Sequence, residues 1–225
     1  MAGGKGSRLL PLTRIIPKPL IPVGSETMLE KIINNLHASG FNQFRVIVNY
    51  KKELIKSYMN EIDYSYDLQF IEEDEYSGTV GGLSLLKKHI EGEFILTNCD
   101  IISFLNYRAM IEWHKKHDAE LTVLGVIKRT DVPYGVVKVN KESYITEIEE
   151  KPRYHHMIVS GLYVLNSSVL KLIPEGKPFG MDQLINKLLT MGKNVTCYPL
   201  DDGWHDIGQF KEYKNLMRNI GDIDA

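Results

Sequence analysis

The 225-residue chain has little cysteine, almost no net charge and no long apolar run. Two cysteines, Cys99 and Cys197, are too few for a disulfide framework and are typical of free thiols in a reducing compartment. A formal net charge of −2 gives no indication of a nucleic-acid partner. No apolar stretch is long enough to span a bilayer, and the first residues form no apolar signal-peptide core. We therefore expect a cytoplasmic protein without nucleic-acid or membrane partners.

Internal repeats, low-complexity segments and an obvious linker are also missing from the sequence. In particular, no hexapeptide repeat follows residue 206, so the sequence gives no sign of an appended β-helix domain. A hydrophobic content of 43% is enough for a sizeable core. We expect residues 1–225 to form a single domain.

Helical and strand patterns alternate through the first half of the chain. Helices are predicted at 26–39, 51–61 and 81–89, and strands at 44–48, 68–71 and 93–97. Ser25 is the expected N-cap of the first helix, and Gly40 is its expected stop. Such alternation predicts a parallel sheet with helices on both faces.

The pattern changes after residue 100, where strands become more frequent. The predicted elements are a helix at 106–117, a strand at 121–127, a hairpin of 135–139 with 144–148, a strand at 158–165, a helix at 181–191, a strand at 195–198 and a closing helix at 209–219. The hairpin places antiparallel strands beside the parallel ones. The fold class is therefore α/β with a mixed, mainly parallel central sheet.

Residues 2–24, AGGKGSRLLPLTRIIPKPLIPVG, carry the strongest functional pattern. The stretch combines three glycines with three cations, which are Gly3, Gly4, Gly6, Lys5, Arg8 and Lys18. Glycine permits φ > 0, so successive backbone N–H groups can point at an anion. Arginine can grip a phosphate with two N–H groups at once. The pattern indicates a phosphate-binding loop, although a glycine-rich loop alone is more often a flexible surface turn.

Two common phosphate motifs do not fit this loop. The P-loop sequence G-x-x-x-x-G-K-[ST] fails because Gly4 and Lys5 are followed by Gly6. The dinucleotide fingerprint G-x-G-x-x-G fails because Leu9 stands in place of the third glycine. What remains is GGxGxR followed by a P-K-P sequence centred on Lys18.

This combination resembles the signature of the sugar-1-phosphate nucleotidylyltransferases, also called nucleotide-sugar pyrophosphorylases. The resemblance runs from residue 2 to about residue 215, with the motifs in the family's order. It implies a Rossmann-like three-layer α/β/α nucleotidyltransferase fold. It assigns catalysis to Arg8 and Lys18, and nucleotide binding to Gly3, Gly4, Gly6 and Ser7.

Two carboxylates match the family's metal site. Asp100 ends the run ILTNCD, and the carboxyl end of a strand is where α/β sheets place ligands; a turn or helix-cap aspartate is the alternative. GWHDIG at 203–208 matches the family's W-x-D-I-G motif through Asp206. The resemblance makes Asp100 and Asp206 ligands of Mg²⁺, the expected cofactor. His205 is interpreted as a packing or pocket-rim residue, because Mg²⁺ prefers oxygen.

Three segments of the second half resemble the family's sugar-phosphate site. The resemblance assigns Glu150 of IEEKP to sugar hydroxyls and Lys151 to the sugar phosphate; a solvated charge cluster is the alternative. It also assigns Tyr134 and Gly135 of VPYGVV, and Gly161 of VSGLYVL, to this site. Many relatives have Asn-Ala-Gly where this chain has Val-Ser-Gly, so the contact made by that asparagine is not expected here.

The segment 72–83, EEDEYSGTVGGL, resembles the part of the family that lines the base pocket. Gly78, Thr79 and Gly81 fit a turn against a planar base. The acidic residues 72–75 either pair with a guanine edge or form a solvated loop. Thymidylyltransferase-type relatives carry a glutamine before the turn, and this chain does not. GTP is therefore the favoured nucleotide.

The glycine-rich loop has no strand before it, whereas in the resembled family an apolar strand runs into the same AGG sequence. We therefore expect the domain to lack its first strand and Met1 to be an internal residue of a longer protein, or a mis-assigned start. Some family members carry a regulatory CBS domain pair upstream, which makes such a domain a candidate partner. A homodimer is a second candidate assembly.

The resemblance implies transfer of a nucleotidyl group from an NTP to a sugar-1-phosphate, with release of pyrophosphate. A hexosamine-1-phosphate is the expected acceptor, in surface-glycan or sialic-acid-like sugar synthesis. Thymidylyl or uridylyl transfer to glucose-1-phosphate and an inactive nucleotide-binding module are the alternatives. A glycosyltransferase is disfavoured because Asp100-Ile101-Ile102 contains no Asp-x-Asp, and a sugar-acid cytidylyltransferase is disfavoured by the W-x-D-I-G motif.

Overall fold

The computed structural model of the chain describes residues 1–208 and 210–221. The helices are α1 (Met28–Ala38), α2 (Lys52–Asn60), α3 (Tyr107–Lys116), α4 (Met181–Thr190) and α5 (Phe210–Gly221). The strands are β1 (Pro22–Val23), β2 (Glu26–Thr27), β3 (Gln43–Val48), β4 (Asp67–Glu72), β5 (Glu93–Thr97), β6 (Ile101–Ser103), β7 (Leu121–Asp131), β8 (Val136–Val139), β9 (Ile145–Glu149), β10 (Arg153–Asn166), β11 (Val195–Leu200) and β12 (Trp204–Asp206).

The largest sheet has the strand order β11-β7-β10-β5 and mixes both strand directions. β11 runs parallel to β7, whereas β10 is antiparallel to both β7 and β5. A parallel pair, β3 with β4, forms a separate two-stranded sheet on the β5 side. Met1 and Ala2 bridge the two parts, because Met1 hydrogen-bonds the backbone of Thr97 and Cys99 and the Ala2 N–H donates to Ile47 O. The expected α/β fold with a mixed sheet is confirmed.

Apolar side chains alternate between the two faces of this sheet and so create two cores. On β10, Leu162 and Val164 point into one core, and Tyr163 and Leu165 point into the other. Helices α1, α2 and α3 contribute to the first core, and α4 with the 3-10 helices Gly81–Leu86 and Ser167–Leu172 forms the second. The fold therefore has three layers, helices, sheet and helices. Successive residues of a strand point to opposite faces, so a sheet with apolar residues on both faces must be covered on both.

Several predicted boundaries were wrong. The first helix begins at Met28 rather than at 26, because Thr27 is the N-cap and forms a capping box with Glu30; Ser25 is not the cap. The predicted helix at 81–89 is a 3-10 helix, Gly81–Leu86. β7 and β10 extend well beyond their predicted ranges of 121–127 and 158–165. The additional residues are the exposed ends of the two strands, which pair with each other. Gln209, the predicted start of the last helix, lies outside the described residues.

A groove of about 370 Å³ separates β3 from β5. β3 pairs with β4 along one edge and β5 pairs with β10 along one edge, and their remaining edges face this groove. Met1 stands at one end, and the walls mix apolar and polar residues, with Leu36, Phe44, Leu83, Leu86, Phe94 and Leu96 among the apolar ones. Within residues 1–208 and 210–221, no strand fills the groove along its length.

None of the helices in the described part of the chain is long and apolar enough to cross a membrane.

Candidate active site

The glycine-rich loop forms one wall of a cleft of about 520 Å³. The residues that line the cleft are Met1, Gly3, Gly4, Lys5, Gly6, Ser7, Arg8, Lys18, Asn49, Glu73, Tyr76, Gly78, Thr79, Asn98, Cys99, Asp100 and Gly208. These residues come from five distant parts of the chain, which the ends of β3, β4, β5 and β12 bring together. The structure thus gathers most of the residues predicted to bind nucleotide into one cavity.

The loop is shaped by Gly6, which adopts a left-handed conformation with φ of 64°. A Cβ at this position would lie 2.8 Å from Thr13 Cγ2 and 3.2 Å from Lys18 Cβ, so only glycine fits without displacement. The buried Thr13 hydroxyl donates to Gly6 O over 3.0 Å. The loop is therefore packed directly against Lys18, whereas Arg8 stays exposed on the 3-10 turn Ser7–Leu9.

Lys18 and Asp100 form a buried ion pair at the cleft. The Lys18 ammonium donates to Asp100 Oδ2, and the two residues are 8% and 7% exposed. Pro17 and Pro19 flank Lys18 in the 3-10 helix Lys18–Leu20, which restricts the backbone that carries the ammonium. Burial and the neighbouring Asp100 carboxylate raise the pKa of the Cys99 thiol to about 11.

Asp206 lies beside this ion pair because β12 pairs with β6. The register places Asp206 opposite Ile101, and the Ile207 N–H donates to Asp100 O over 3.0 Å. A Cβ on Gly208 would lie 2.6 Å from Asp100 Oδ2, 2.8 Å from Asp206 Oδ1 and 3.0 Å from Lys18 Nζ. The two carboxylates predicted to bind metal therefore converge on one small space that the missing side chain leaves open.

This space suits a Mg²⁺ ion that also binds substrate phosphates. Mg²⁺ in proteins is commonly held by one or two carboxylates, with water and phosphate oxygens completing its shell. Asp100 and Asp206 supply such a pair, and among the described residues no cluster of three or more His, Cys, Asp or Glu side chains offers a larger ligand set. His205 instead packs edge-on against Phe104, in line with its predicted packing role.

The predicted base-pocket turn is docked on the start of α4. Gly78 has φ of 85°, and a Cβ there would lie 2.8 Å from Phe179 O. The Thr79 hydroxyl accepts a hydrogen bond from the Met181 N–H over 3.0 Å. Gly81 packs against Ser77 and does not line the cleft. Gly78 and Thr79 thus border the cavity, and Gly81 supports the turn from behind.

Glu73 was not singled out from its acidic neighbours by the sequence, yet it is the one acidic residue of the 72–75 segment that is buried, at 4% exposure. Its Oε1 accepts from the Ser77 hydroxyl, and its buried Oε2 has no partner within the described part of the chain. Gly3 and Gly82 pack on the carboxylate so closely that a Cβ on either would approach it within 2.8 Å and 2.5 Å. A buried acceptor without a donor is costly, and such groups deserve a functional explanation.

Gly161 sits behind the cleft and supports Asn98. It has φ of 86°, and a Cβ there would lie 2.8 Å from Asn98 Nδ2. The Asn98 N–H donates to Gly161 O over 3.0 Å. Gly161 therefore positions the turn that leads to Asp100, and the expected approach of its backbone to a sugar remains a prediction.

The other predicted sugar-phosphate residues are on an exposed hairpin and do not line the cleft. Tyr134 is 74% exposed, and the side chains of Glu150 and Lys151 are 72% and 69% exposed. Gly135 lies next to Glu150, at the base of the arm formed by β8 and β9. The structure brings these four residues together but not into contact with the nucleotide loop.

Besides Glu73, sequence reasoning missed Asn49, Tyr76, Asn98 and Gly208 as cleft residues. Asn49 donates to Glu73 O over 2.9 Å and so fixes the end of β4 against the end of β3. Their position in the sequence could have indicated three of them. Asn49 and Asn98 come directly after a predicted buried strand, and Glu73 comes one residue later after another.

Comparisons with known proteins show which proteins this chain is similar to. The sequence is 34% identical over 224 residues to a mannose-1-phosphate guanyltransferase of Aspergillus fumigatus, covering 95% of this chain and 61% of that protein. It is 33% identical over 226 residues to the mannose-1-phosphate guanyltransferase of Schizosaccharomyces pombe, with the same coverage. The chain thus spans 61% of the length of the curated relatives that it matches.

Solved structures give the same result for the fold. The crystal structure of HddC from Yersinia pseudotuberculosis superposes with a TM-score of 0.76 at 26% identity, covering 97% of this chain and 96% of that one. The HddC complex with GMP-PN superposes with a TM-score of 0.73 over the same fractions. The family model for nucleotidyl transferases matches residues 1–222. With its glycine-rich loop, paired carboxylates and α/β fold, the chain belongs to the nucleotidyl transferase family.

Proposed function

We propose that this protein transfers a guanylyl group from GTP to a sugar-1-phosphate, producing a GDP-sugar and pyrophosphate. Relatives described as mannose-1-phosphate guanyltransferases and the HddC complex with GMP-PN support this class of reaction and this base. The observation that carries the proposal is the meeting of Lys18, Asp100 and Asp206 around Gly208, at the edge of a cleft walled by the glycine-rich loop.

The reaction needs no nucleophilic side chain, because the acceptor phosphate is already an anion. An oxygen of the sugar-1-phosphate forms a new bond to the α-phosphorus of GTP, while the bond from that phosphorus to the β-phosphate oxygen breaks. Pyrophosphate leaves with the bonding electrons. The protein has to hold two anions in line and offset the charge that develops between them.

Residues of the cleft suit these tasks. Backbone N–H groups of Gly3, Gly4 and Gly6, with the Ser7 hydroxyl, would hold the triphosphate. Arg8 and Lys18 would stabilise the charge on the α-phosphate in the transition state. When Mg²⁺ is bound by Asp100 and Asp206, it supplies further positive charge at the phosphates.

Guanine recognition is assigned to Glu73. The Watson–Crick edge of guanine presents two adjacent donors, N1–H and the 2-amino group, which match the two oxygens of a carboxylate. Uracil and thymine flank their single N–H with carbonyl oxygens, which a carboxylate would repel. Within the described part of the chain, Glu73 is the cleft carboxylate without a lysine partner, and its Oε2 has no donor there. Gly78 and Thr79 would lie against the face of the base.

The acceptor is proposed to be a hexose-1-phosphate. The names of the curated relatives favour mannose-1-phosphate, and the hexosamine-1-phosphate expected from the sequence is the second acceptor to test. Tyr134, Gly135, Glu150, Lys151 and Gly161 remain the candidate sugar-phosphate residues. Because the hairpin carrying four of them is exposed, contact with the acceptor requires it to close over the cleft.

The test is a matrix of nucleotides and acceptors. The protein is incubated with Mg²⁺, each of GTP, UTP, dTTP, CTP and ATP, and mannose-, glucosamine- or glucose-1-phosphate, and released pyrophosphate is measured. We expect release with GTP and one or more acceptors, and none without an acceptor. Release with UTP or dTTP in preference to GTP would favour the alternative transferases, and no release from folded protein with any pair would contradict the proposal.

We also propose that the domain is completed by an extended apolar segment in the groove between β3 and β5. Met1 exchanges backbone hydrogen bonds with Thr97 and Cys99, and the Ala2 N–H donates to Ile47 O, so these two residues lie between β5 and β3 at one end of the groove. The homodimer and the upstream regulatory domain stay predictions.

A further inference from the structure

Lys18 has two tasks that the same ammonium group cannot perform together. In the proposed reaction it binds the phosphates of the nucleotide. In the structure it is paired with Asp100, at one of the two carboxylates proposed to hold Mg²⁺. Both side chains are about nine-tenths buried, so little water is available to replace either partner.

The Lys18 ammonium lies in the same small space in which a divalent cation would contact both carboxylates. Lys18 Nζ, Asp100 Oδ2 and Asp206 Oδ1 all lie within 3.0 Å of the point that a Cβ on Gly208 would occupy. Asp206 Oδ1 is also held by the Gly208 N–H over 2.8 Å, which keeps this carboxylate beside the pair. A divalent ion entering here would meet the Lys18 charge at contact distance.

We propose that Lys18 is the resident counter-ion of Asp100 in the nucleotide-free protein and that, with Asp206 beside this pair, it competes with the divalent cation. The inference rests on the proposed function for the identity of this site. Lys18 neutralises Asp100 until nucleotide phosphates draw the ammonium away, which leaves both carboxylates free to hold a divalent ion. Nucleotide and divalent cation consequently bind with positive coupling, which must be reciprocal.

The test is the affinity of the nucleotide-free protein for Mn²⁺, measured by EPR of the free ion. Lys18→Met removes the competing charge and should bind Mn²⁺ roughly tenfold more tightly than the wild type, the scale of one charge-assisted hydrogen bond. Lys18→Arg keeps the charge and should resemble the wild type. Lys18→Gln removes the charge but keeps a donor for Asp100, so it carries the same test if the methionine variant does not fold.

A second substitution establishes where the ion binds. Adding Asp206→Asn to Lys18→Met should abolish the gain in Mn²⁺ affinity. Equal or weaker Mn²⁺ binding by folded Lys18→Met and Lys18→Gln would overturn the inference, as would a gain that survives Asp206→Asn. Because these titrations contain neither nucleotide nor sugar, a failed transfer assay would count against the proposed function and leave this result unaffected.

Discussion

Arg8 and Lys18 carry the same charge but are held very differently by the fold. Lys18 is buried and ion-paired with Asp100, whereas Arg8 projects from an exposed turn at the cleft. The ion pair with Asp100 therefore holds Lys18 in this structure. Arg8 can be fixed only by the ligand, so its contribution should be confined to substrate and transition-state binding.

Arg8→Ala should lower kcat for pyrophosphate release by at least roughly a hundredfold, the usual scale for losing a positioned charge in the transition state. The measurement is steady-state turnover with saturating GTP and acceptor. Arg14→Ala is the matched control, because Arg14 is exposed in a neighbouring 3-10 helix and does not line the cleft. Turnover of Arg8→Ala at the wild-type rate would remove Arg8 from the mechanism.

Glu73→Gln should change the choice of base. The amide keeps one acceptor and gains a donor, which suits the edge of uracil better than that of guanine. The ratio of kcat/KM for GTP over UTP should fall by roughly tenfold to a hundredfold, the range for losing one bidentate base contact. Glu75→Gln makes the same charge change at an exposed position and should leave the ratio unaltered. An unchanged ratio in Glu73→Gln would contradict the assignment.

Cys99 should be much less reactive than Cys197. Its pKa is about 11, raised from 9.0 first by burial and then by Asp100, whereas Cys197 is exposed. Burial also raises the pKa of the Cys197 thiol. At pH 8, iodoacetamide should label Cys99 more slowly than Cys197, because the thiolate is the reactive form. Peptide mass spectrometry measures both rates, and equal rates would contradict the raised pKa of the half-buried Cys99 thiol.

The raised pKa of Cys99 also determines how the free energy of unfolding should change with pH. The unfolded thiol ionises as pH rises through 9, while the folded thiol stays protonated until about 11. The folded state therefore binds more protons in this window, and Cys99 should lower the free energy of unfolding as pH rises from 9 to 11.

At the scale of elements, the sequence predicts what is local and apolar. The strands at 44–48 and 93–97 and the helices at 51–61 and 106–117 agree with β3, β5, α2 and α3 to within one residue. Their apolar spacing alone specifies them. β6 and β12 were missed because three residues carry no period, and their pairing, which joins Asp206 to Asp100, exists only in the tertiary structure.

Apolar spacing could not distinguish a 3-10 helix from an α-helix at 81–89. Gly81 and Gly82 begin this segment and pack against Ser77 and Glu73 at distances that a side chain would not permit. That packing gives a tighter 3-10 helix instead of the predicted α-helix.

The groove between β3 and β5 gives an element-scale prediction. A five-residue apolar, β-forming segment fused before Met1 should raise the melting temperature by at least about 5 °C, through burial of apolar side chains and pairing of two open strand edges. A fused glycine–serine segment of the same length is the control. Equal melting temperatures for the two fusions would show that the groove does not take a strand.

At the scale of the molecule, the sequence could indicate which residues serve the site but not how far apart they lie. The loop residues, Asp100 and Asp206 were found from motifs, and the structure places them around one cleft. Tyr134, Gly135, Glu150 and Lys151 came from equally short motifs but lie on an exposed hairpin. A sequence motif indicates which residue types could take part in the reaction. The distances between those residues depend on strand register and on the position of the hairpin.

The central claim is that Asp100, Asp206 and Lys18 form one guanylyl-transfer site. The decisive measurement is transfer of label from [α-³²P]GTP to mannose-1-phosphate and, in parallel, glucosamine-1-phosphate, with wild-type protein, Asp206→Asn and Asp201→Asn. Asp201 is an exposed carboxylate five residues before Asp206 and controls for loss of charge. We predict labelled GDP-sugar from the wild type and Asp201→Asn, and at least roughly a hundredfold less from Asp206→Asn. Equal product from all three proteins, or none from the folded wild type with either acceptor, would contradict the claim.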